Sequence, residues 1–198
     1  MRIEGWAMTG EVLDFQEIYE KYRPRVQGYL ARLLDRSEVE DLTQEVFIKV
    51  EQALPGFRGD SSLSTWIYRI ATNAANARLR SPSYRIRKLN SPKTDERLNQ
   101  QVIVIPSIEV QLVRKEMNEC IRSIVDKLPG NYRTVIVLSE MEGFKNREIS
   151  EILGISLDTV KIRLHRARAK LKREMSQQCN FYRDERNELA CDAKTPNK

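Results

Sequence analysis

The stretch NREISEILGISLDTVKIRLHRARAKLK, residues 146–172, predicts two helices joined by a short turn. Gly154 can adopt the left-handed backbone that ends a helix at little cost. Ser156 can then accept hydrogen bonds from the N–H groups that open the next helix. A turn of this length sets two helices steeply across each other, so the stretch is predicted to be a helix-turn-helix.

The second helix of this motif has a buried stripe and a basic surface. Apolar side chains recur at helical spacing along the stripe, at Val160, Leu164, Ala167 and Leu171. The remaining faces carry seven Lys and Arg residues between positions 161 and 173. Such a helix fits the major groove of DNA, where arginine pairs with guanine and other cations hold phosphates. The pattern therefore predicts DNA binding, and a solvated basic face on a structural helix pair is the alternative.

The chain around the motif has the composition of a helical protein. It has 198 residues and a net charge of +6, from 34 Lys and Arg against 28 Asp and Glu. Gly and Pro number only 8 and 7, which argues against a turn-rich β fold or a glycine-rich nucleotide-binding fold. No apolar run approaches the roughly 18–20 residues of a membrane span, and the N-terminus lacks a signal pattern. We therefore expect an all-α protein of the cytoplasm whose cysteines are free thiols.

Three strongly periodic segments in the first half predict helices. Apolar residues recur there at steps of three and four, from Phe15 to Leu34, from Val39 to Leu54 and from Leu63 to Ala74. Pro24 is expected to kink the first helix or to open a second one, because it lacks an N–H. Ser37 and Glu40 match a capping box at the start of the second helix. Ser61 or Ser62 can cap the third.

The composition changes between these helices and the second half. Residues 81–106 contain prolines and bases with little apolar periodicity, which is typical of a linker. Helical periodicity then returns and continues as far as the basic helix. We therefore expect two small helical domains, 12–80 and 107–175, joined by a flexible linker and followed by a cysteine-containing tail at 176–198.

The second predicted helix has an acidic surface, with six acids and two bases between positions 35 and 51. One of its faces carries Asp41, Gln44 and Glu45. We expect Phe47 or Val50 to be exposed beside them. This face is either a surface for a partner or a solvated one.

The third predicted helix mixes aromatic, amide and basic side chains in SSLSTWIYRIATNAANARLRS, residues 61–81. Stacking rings and phosphate-binding cations suit single-stranded or melted DNA. Trp66 itself is expected to lie in the core. The predicted binding surface is therefore the polar face of this helix together with the preceding loop, residues 57–62.

Three stretches together resemble a bacterial RNA polymerase sigma factor. They are DLTQEVFIKV at 41–50, FRGDSSLSTWIYRIATNAANARLR at 57–80 and LPGNYRTVIVLSEMEGFKNREISEILGISLDTVKIRLHRARAKL at 128–171. The resemblance covers about residues 12–175, and the absence of other domains resembles the extracytoplasmic-function (ECF) class. It implies a first domain that binds the polymerase clamp helices and the promoter −10 element, and a second that binds the −35 element and the polymerase flap.

The resemblance implies site roles for the residues that match the family's motifs. The core-polymerase-binding motif is matched by Asp41, Gln44 and Glu45. The −10 reading and melting segment is matched by Arg58, Ser64, Thr65, Tyr68, Arg69, Asn73 and Asn76. The −35 recognition helix is matched by Thr159, Lys161, Arg163, His165, Arg166 and Arg168. Ile162 departs from the smaller or polar residues of many relatives, and no catalytic residue, metal or cofactor is implied.

The predicted function is that of a dissociable specificity subunit and not of an enzyme. Its expected partners are core RNA polymerase, promoter DNA and an anti-sigma factor or other regulator. One alternative is an ordinary helix-turn-helix regulator whose first half senses a signal or dimerises, although such a protein needs neither the acidic face nor the aromatic–amide helix. Another is a nucleic-acid enzyme that uses the acids at 38–45 with a metal, which would require ligands that converge in space.

The tail after Met175 contains Cys179 and Cys191, and the resemblance implies no role for it. It is either a frayed terminus with two incidental thiols or a segment, such as a short salt-bridged helix, that folds back on one of the domains. In the second case the cysteine pair could make that contact sensitive to redox state or to a soft metal ion.

Overall fold

A computed structural model of the protein describes residues 14–84, 86, 123–183 and 189–193. Helices make up most of the described chain, so the predicted all-α class is confirmed. No helix among these residues is both long and apolar enough to cross a bilayer. Most of the predicted linker, 81–106, lies outside the described residues.

Three helices occupy the first part of the described chain. They are α1 (Phe15–Ala31), α2 (Arg36–Ala53) and α3 (Leu63–Arg80), and a short 3-10 turn, Leu54–Gly56, follows α2. The Asp14 carboxylate caps α1 by accepting from the Gln16 N–H at 2.8 Å. The Ser62 hydroxyl caps α3 by accepting from the Thr65 N–H at 3.1 Å. The cap predicted at Ser62 is thereby confirmed.

The helix starts differ from the sequence prediction at two points. Pro24 lies inside α1 and opens no second helix. Tyr22 and Val26 are buried on either side of it, so packing outweighs the hydrogen bond that proline cannot donate. Ser37 is not the N-cap of α2, because the helix begins at Arg36 and the extended residue Asp35 takes the cap position.

The core of the three helices consists of the periodic apolar residues. Nine of these residues are each at most 2% exposed: Val26, Tyr29, Leu30, Val46, Phe47, Val50, Ile67, Ala71 and Ala75. The buried Tyr29 hydroxyl lies 2.8 Å from the hydroxyl of Thr72, which satisfies it inside the core. The expectation that Phe47 or Val50 is exposed is wrong, since both lie on the buried stripe of α2. Ile48 is the exposed apolar residue there.

The helix-turn-helix lies in the second part of the described chain. After Pro129, α4 (Gly130–Ile136) runs into a π-helical turn, Val137–Met141, and α5 (Asn146–Leu153) and α6 (Leu157–Gln178) follow. Gly154 ends α5 in the left-handed region, with φ 62° and ψ 36°. The Ser156 hydroxyl accepts from the Thr159 N–H at 3.2 Å at the start of α6. Both predicted features of the turn are confirmed.

In the part of the tail that the structure describes, two paired strands follow α6, and no separate helix forms there. Strand β1 (Cys179–Arg183) pairs antiparallel with β2 (Leu189–Ala193). Cys179 lies opposite Ala193 and Cys191 opposite Phe181, so the two cysteines are not directly opposed. Apolar and polar residues alternate at the start of β1, the period-two pattern of a strand, which explains why no helix forms. A redox or metal response of the cysteine pair stays a prediction.

The described residues fall into two compact units. One takes its described residues from 14–86 and 137–160, and the other from 123–136 and 161–193. Residues 137–160 are therefore grouped with the three N-terminal helices, whereas the sequence analysis assigns them to the domain 107–175. The predicted limits of the two domains stay a prediction.

Candidate nucleic-acid interface

The outer surface of α6 carries the residues predicted to contact the −35 element. Val160, Leu164 and Ala167 are at most 2% exposed, and this settles which faces of the helix point outward. Four of the six predicted residues are exposed and two are half-buried; they are Lys161, His165, Arg166 and Arg168, and Thr159 and Arg163. All six lie off the buried stripe, and together they present a basic surface.

Thr159 and Arg166, in the first turns of α6, differ in their hydrogen bonding within the protein. The Thr159 hydroxyl lies 2.8 Å from the Ser156 hydroxyl, so Thr159 takes part in the cap of the helix. Arg166 makes no hydrogen bond or ion pair with the residues that the structure describes. None of the described residues occupies its guanidinium donors, which can bind an acceptor such as a base edge or a phosphate.

The predicted polymerase-binding face of α2 is partly engaged within the protein. Asp41 and Gln44 are exposed, and the Gln44 amide donates to Glu40 at 3.3 Å. Glu45 is half-buried and binds Arg78 of α3. The structure thus brings the three predicted residues to one face of α2, with Asp41 the most accessible carboxylate on it.

Arg78 holds two carboxylates of α2 in one ion-pair network. Its Nη1 binds Glu38 and its Nη2 binds Glu45, each at 2.5 Å. Burial by itself lowers the pKa of Arg78, but the hydrogen bond and charge of Glu38, with those of Glu45, outweigh burial and raise this pKa above its ordinary value. Arg78 is not among the predicted site residues, although two acids seven residues apart on one helix and a base on the next are a signal for such a network.

The predicted −10 residues divide into an exposed and a buried set. Arg58, Arg69 and Asn73 are exposed, and Ser64 and Asn76 are half-buried. Thr65 and Tyr68, however, are only 2% and 3% exposed. The Thr65 hydroxyl lies 2.8 Å from the Ser62 hydroxyl and belongs to the cap of α3. Their predicted contact with DNA is not available in this conformation.

The loop before α3 is anchored by an aromatic pair and carries an exposed arginine. Trp66, expected in the core, is half-buried with its ring centroid 5.1 Å from that of Phe57. Arg58 pairs with Asp60 at 3.0 Å, and both side chains are largely exposed. Because exposed ion pairs contribute little free energy, Arg58 can exchange this partner for a phosphate at low cost.

Tyr68 is held inside by residues that the sequence analysis did not connect with it. Its hydroxyl donates to Glu142 Oε2 at 2.6 Å, and Arg32 Nη1 donates to Glu142 Oε1 at 2.6 Å. The Phe144 ring meets the Tyr68 ring at an angle of 64°, with the centroids 4.7 Å apart. Burial and then the hydrogen bond to Glu142 raise the pKa of Tyr68 above its ordinary value. A separation of 74 residues between Tyr68 and Glu142 left no local signal for this contact.

We expect Tyr68→Phe to destabilise the protein by about 1.5–3 kcal/mol, the range for a hydrogen bond to a charged group. A tyrosine with a raised pKa contributes stability below its ordinary pKa of about 10 and loses it as the pH rises further. The variant should therefore lose less stability than the parent above about pH 10. Urea denaturation of the full chain at neutral and alkaline pH measures both effects.

Tyr19→Phe is the matched control for this prediction. The Tyr19 ring packs edge-on against Phe47, and its hydroxyl forms no hydrogen bond with the described residues. Removing that hydroxyl should change the free energy of unfolding by less than about 0.5 kcal/mol. Equal effects of the two substitutions would contradict the role assigned to the Tyr68 hydroxyl.

The fold and the exposed basic helix define a helix-turn-helix DNA-binding protein. Residues 18–83 match the family model of Sigma-70 region 2, and residues 118–171 match that of Sigma-70 region 4. The chain is 34% identical to the ECF RNA polymerase sigma factor SigW of Bacillus subtilis, over 84% of this chain and 91% of that protein. The chain therefore belongs to the RNA polymerase sigma factors of the ECF class.

Further relatives agree with this assignment. The chain is 31% identical to the RNA polymerase sigma factor SigZ of Bacillus subtilis, over 87% of this chain and 93% of that protein. It is 30% identical to the ECF RNA polymerase sigma-E factor of Escherichia coli, over 82% of this chain and 86% of that protein. The protein is a sigma factor: it binds core RNA polymerase, directs it to specific promoters and helps to open DNA for transcription initiation.

Solved structures of other proteins share the fold. One is the sigma factor RpoE in complex with the anti-sigma factor NepR from Bartonella quintana, with a TM-score of 0.62 and 21% identity over 82% of this chain and 97% of that chain. Another is CnrH in complex with the cytosolic domain of CnrY, with a TM-score of 0.57 and 24% identity over 85% of this chain and 92% of that chain. At these identities the likeness concerns the fold alone.

Proposed function

We propose that this sigma factor reads the promoter −35 element through the exposed face of α6. One observation carries the proposal: the same helix separates a buried apolar stripe from a basic outer surface. Arg166, which is exposed, is assigned to a base edge, because arginine can donate two hydrogen bonds to guanine in the major groove. Lys161 and Arg168, on one flank of this outer surface, are assigned to phosphates, and Arg163 and His165 complete the basic surface.

Arg166→Ala is expected to cost about 1–3 kcal/mol in promoter binding and to relax specificity at one position of the −35 element. Lys161→Ala should instead weaken all promoters alike and lower the slope of log affinity against log salt by about 1. Affinities of the holoenzyme for a set of single-base −35 variants, measured across a salt series, separate the two behaviours. If the Arg166→Ala holoenzyme keeps the parent's preference among the −35 variants, the assignment of this face of α6 to the −35 bases is wrong.

The −10 element is assigned to the loop before α3 and to the polar face of α3. The supporting observation is the exposure of Arg58, Arg69 and Asn73, which offer cations and an amide to a melted strand. Thr65 and Tyr68 support this surface from within. Direct contact between Tyr68 and a base would first require its ring to leave Glu142 and Phe144.

Core RNA polymerase is assigned to the face of α2 that carries Asp41, Gln44 and Glu45. These residues and Ile48 follow one another at helical spacing, so they form one surface. Ile48 is 54% exposed, and an apolar residue within a polar rim is typical of a surface for a protein partner. Arg78 supports the face by holding Glu45.

An anti-sigma factor or another regulator is the further partner that we propose. Of the two solved structures of similar fold, one is a sigma factor bound to an anti-sigma factor, and the other is CnrH bound to the cytosolic domain of CnrY. We propose that the protein acts in the cytoplasm as a binding subunit, without a catalytic residue, a metal or a cofactor of its own.

Run-off transcription tests the proposed function. Core polymerase with this protein is incubated with a library of genomic promoter fragments, and the transcripts are sequenced. We expect starts that depend on the added protein and share a −35 and a −10 sequence, with core polymerase alone as the control. DNA binding without polymerase and without run-off products would favour the ordinary helix-turn-helix regulator.

A further inference from the structure

The outermost line of α6 is apolar, although the helix is basic around it. At about 3.6 residues per turn, Ile162 and Ala169 lie opposite the stripe of Val160, Leu164 and Ala167. Both are exposed, and Ile162 is 51% exposed. In the middle of this helix, the residues that point directly away from the buried stripe are therefore an isoleucine and an alanine, with Asp158 before them and Arg173 after them on nearly the same line.

An exposed isoleucine alone has no special meaning, because single apolar residues are common on protein surfaces. The residues around Ile162, however, indicate a function for it. Arg166 lies one turn further along the helix, and Lys161 and Arg168 lie on one flank. A surface with cations around an apolar line fits a polyanion that has an apolar group at the floor of a groove. In the major groove of DNA that group is the 5-methyl of thymine.

We propose that Ile162 contacts the 5-methyl group of one thymine in the −35 element and selects for that base. The inference rests on the proposed −35 role of α6 and adds a specificity-determining residue to it. A cytosine or a purine at the same position presents no methyl group there, so the isoleucine would face polar atoms whose hydration it displaces.

The spacing of the two residues predicts where that thymine lies. Ile162 and Arg166 are four residues apart, which is about 6 Å along the helix axis. Base pairs stack at about 3.4 Å, so the thymine should fall within two base-pair steps of the base that Arg166 contacts.

The test uses deoxyuridine, which pairs like thymine but lacks the methyl group. Each thymine of the −35 element, on either strand, is replaced in turn, and the affinity of the holoenzyme is measured. We expect one replacement to weaken binding by the parent about fourfold, the effect of burying one methyl group. The Ile162→Ala holoenzyme should bind the thymine and deoxyuridine promoters equally. Ile86→Ala, which truncates an isoleucine of similar exposure, should keep the fourfold difference.

Three results would overturn the proposal while leaving the sigma function intact. In the first, the −35 element contains no thymine. In the second, the parent holoenzyme binds deoxyuridine and thymine promoters with equal affinity. In the third, the Ile162→Ala holoenzyme still binds the thymine promoter more tightly than the deoxyuridine promoter. Loss of affinity of Ile162→Ala for core polymerase, with promoter discrimination unchanged, would assign the isoleucine to a protein partner instead. If the protein supports no run-off transcription from specific promoters, the proposed function itself is wrong.

Discussion

Arg78→Met is expected to destabilise the protein by about 3–5 kcal/mol, the cost of leaving a buried charge without its partner. Glu38 is 3% exposed, so its carboxylate would lose the guanidinium of Arg78 without gaining a compensating shell of water. Glu45 would lose the same partner but has more access to solvent. Urea denaturation of the full chain, followed by its helical circular dichroism, measures the loss.

Two further variants show whether the effect comes from the loss of the ion pair between Arg78 and Glu38. Arg80→Met is the matched control, because Arg80 is exposed and its side chain donates only to the Asn76 carbonyl among the described residues. It should cost less than about 0.5 kcal/mol. Combining Glu38→Met with Arg78→Met should recover most of the lost stability, since apolar side chains can replace a buried pair at little cost. Equal stabilities of Arg78→Met and Arg80→Met would refute the network's role.

Asp41→Lys is expected to reduce transcription by about 100-fold, because juxtaposing like charges at an interface costs several kcal/mol. The reason is the position of Asp41 on the face proposed to bind core polymerase, where it is exposed and makes no hydrogen bond within the described chain. Run-off transcription and direct binding to core polymerase measure the effect. Thermal unfolding of the variant should match that of the parent.

Glu17→Lys provides the matched control for the charge reversal. Glu17 is also an exposed acid, in the first turn of α1, and the change in net charge is identical. This variant should transcribe at about the parent's level. If Asp41→Lys transcribes normally, this face of α2 does not bind core polymerase. If the variant no longer unfolds cooperatively, Asp41 has a structural role instead.

The helices and the helix-turn-helix could be predicted because their signals are local. Gly154 and Ser156 determine the turn through their own backbone and through a bond to a residue three positions on. The predictions failed where two local signals competed. Ser37 looked like a cap, yet α2 begins before it, and the tail had enough charge for a helix, yet it pairs as two strands.

The roles of the candidate site residues stay predictions, and the structure adds which of these residues are exposed. The predicted residues are polar residues of α2, α3 and α6, yet Tyr68 and Thr65 are buried and Glu45 is bound by Arg78. Periodicity assigns a residue to one face of a helix. It does not identify the partner that covers that face when the partner is distant in the chain.

The sequence by itself therefore determined the helical class, the basic helix with its buried stripe, and the family to which the chain is similar. Only the tertiary structure decided which polar residues remain exposed. Tyr68 meets Glu142 across 74 residues and Arg78 meets Glu38 across 40, and no short-range pattern encodes either contact. The physical reason is that a helix cap or a turn is satisfied within a few residues, whereas burial and ion pairing depend on where distant segments pack.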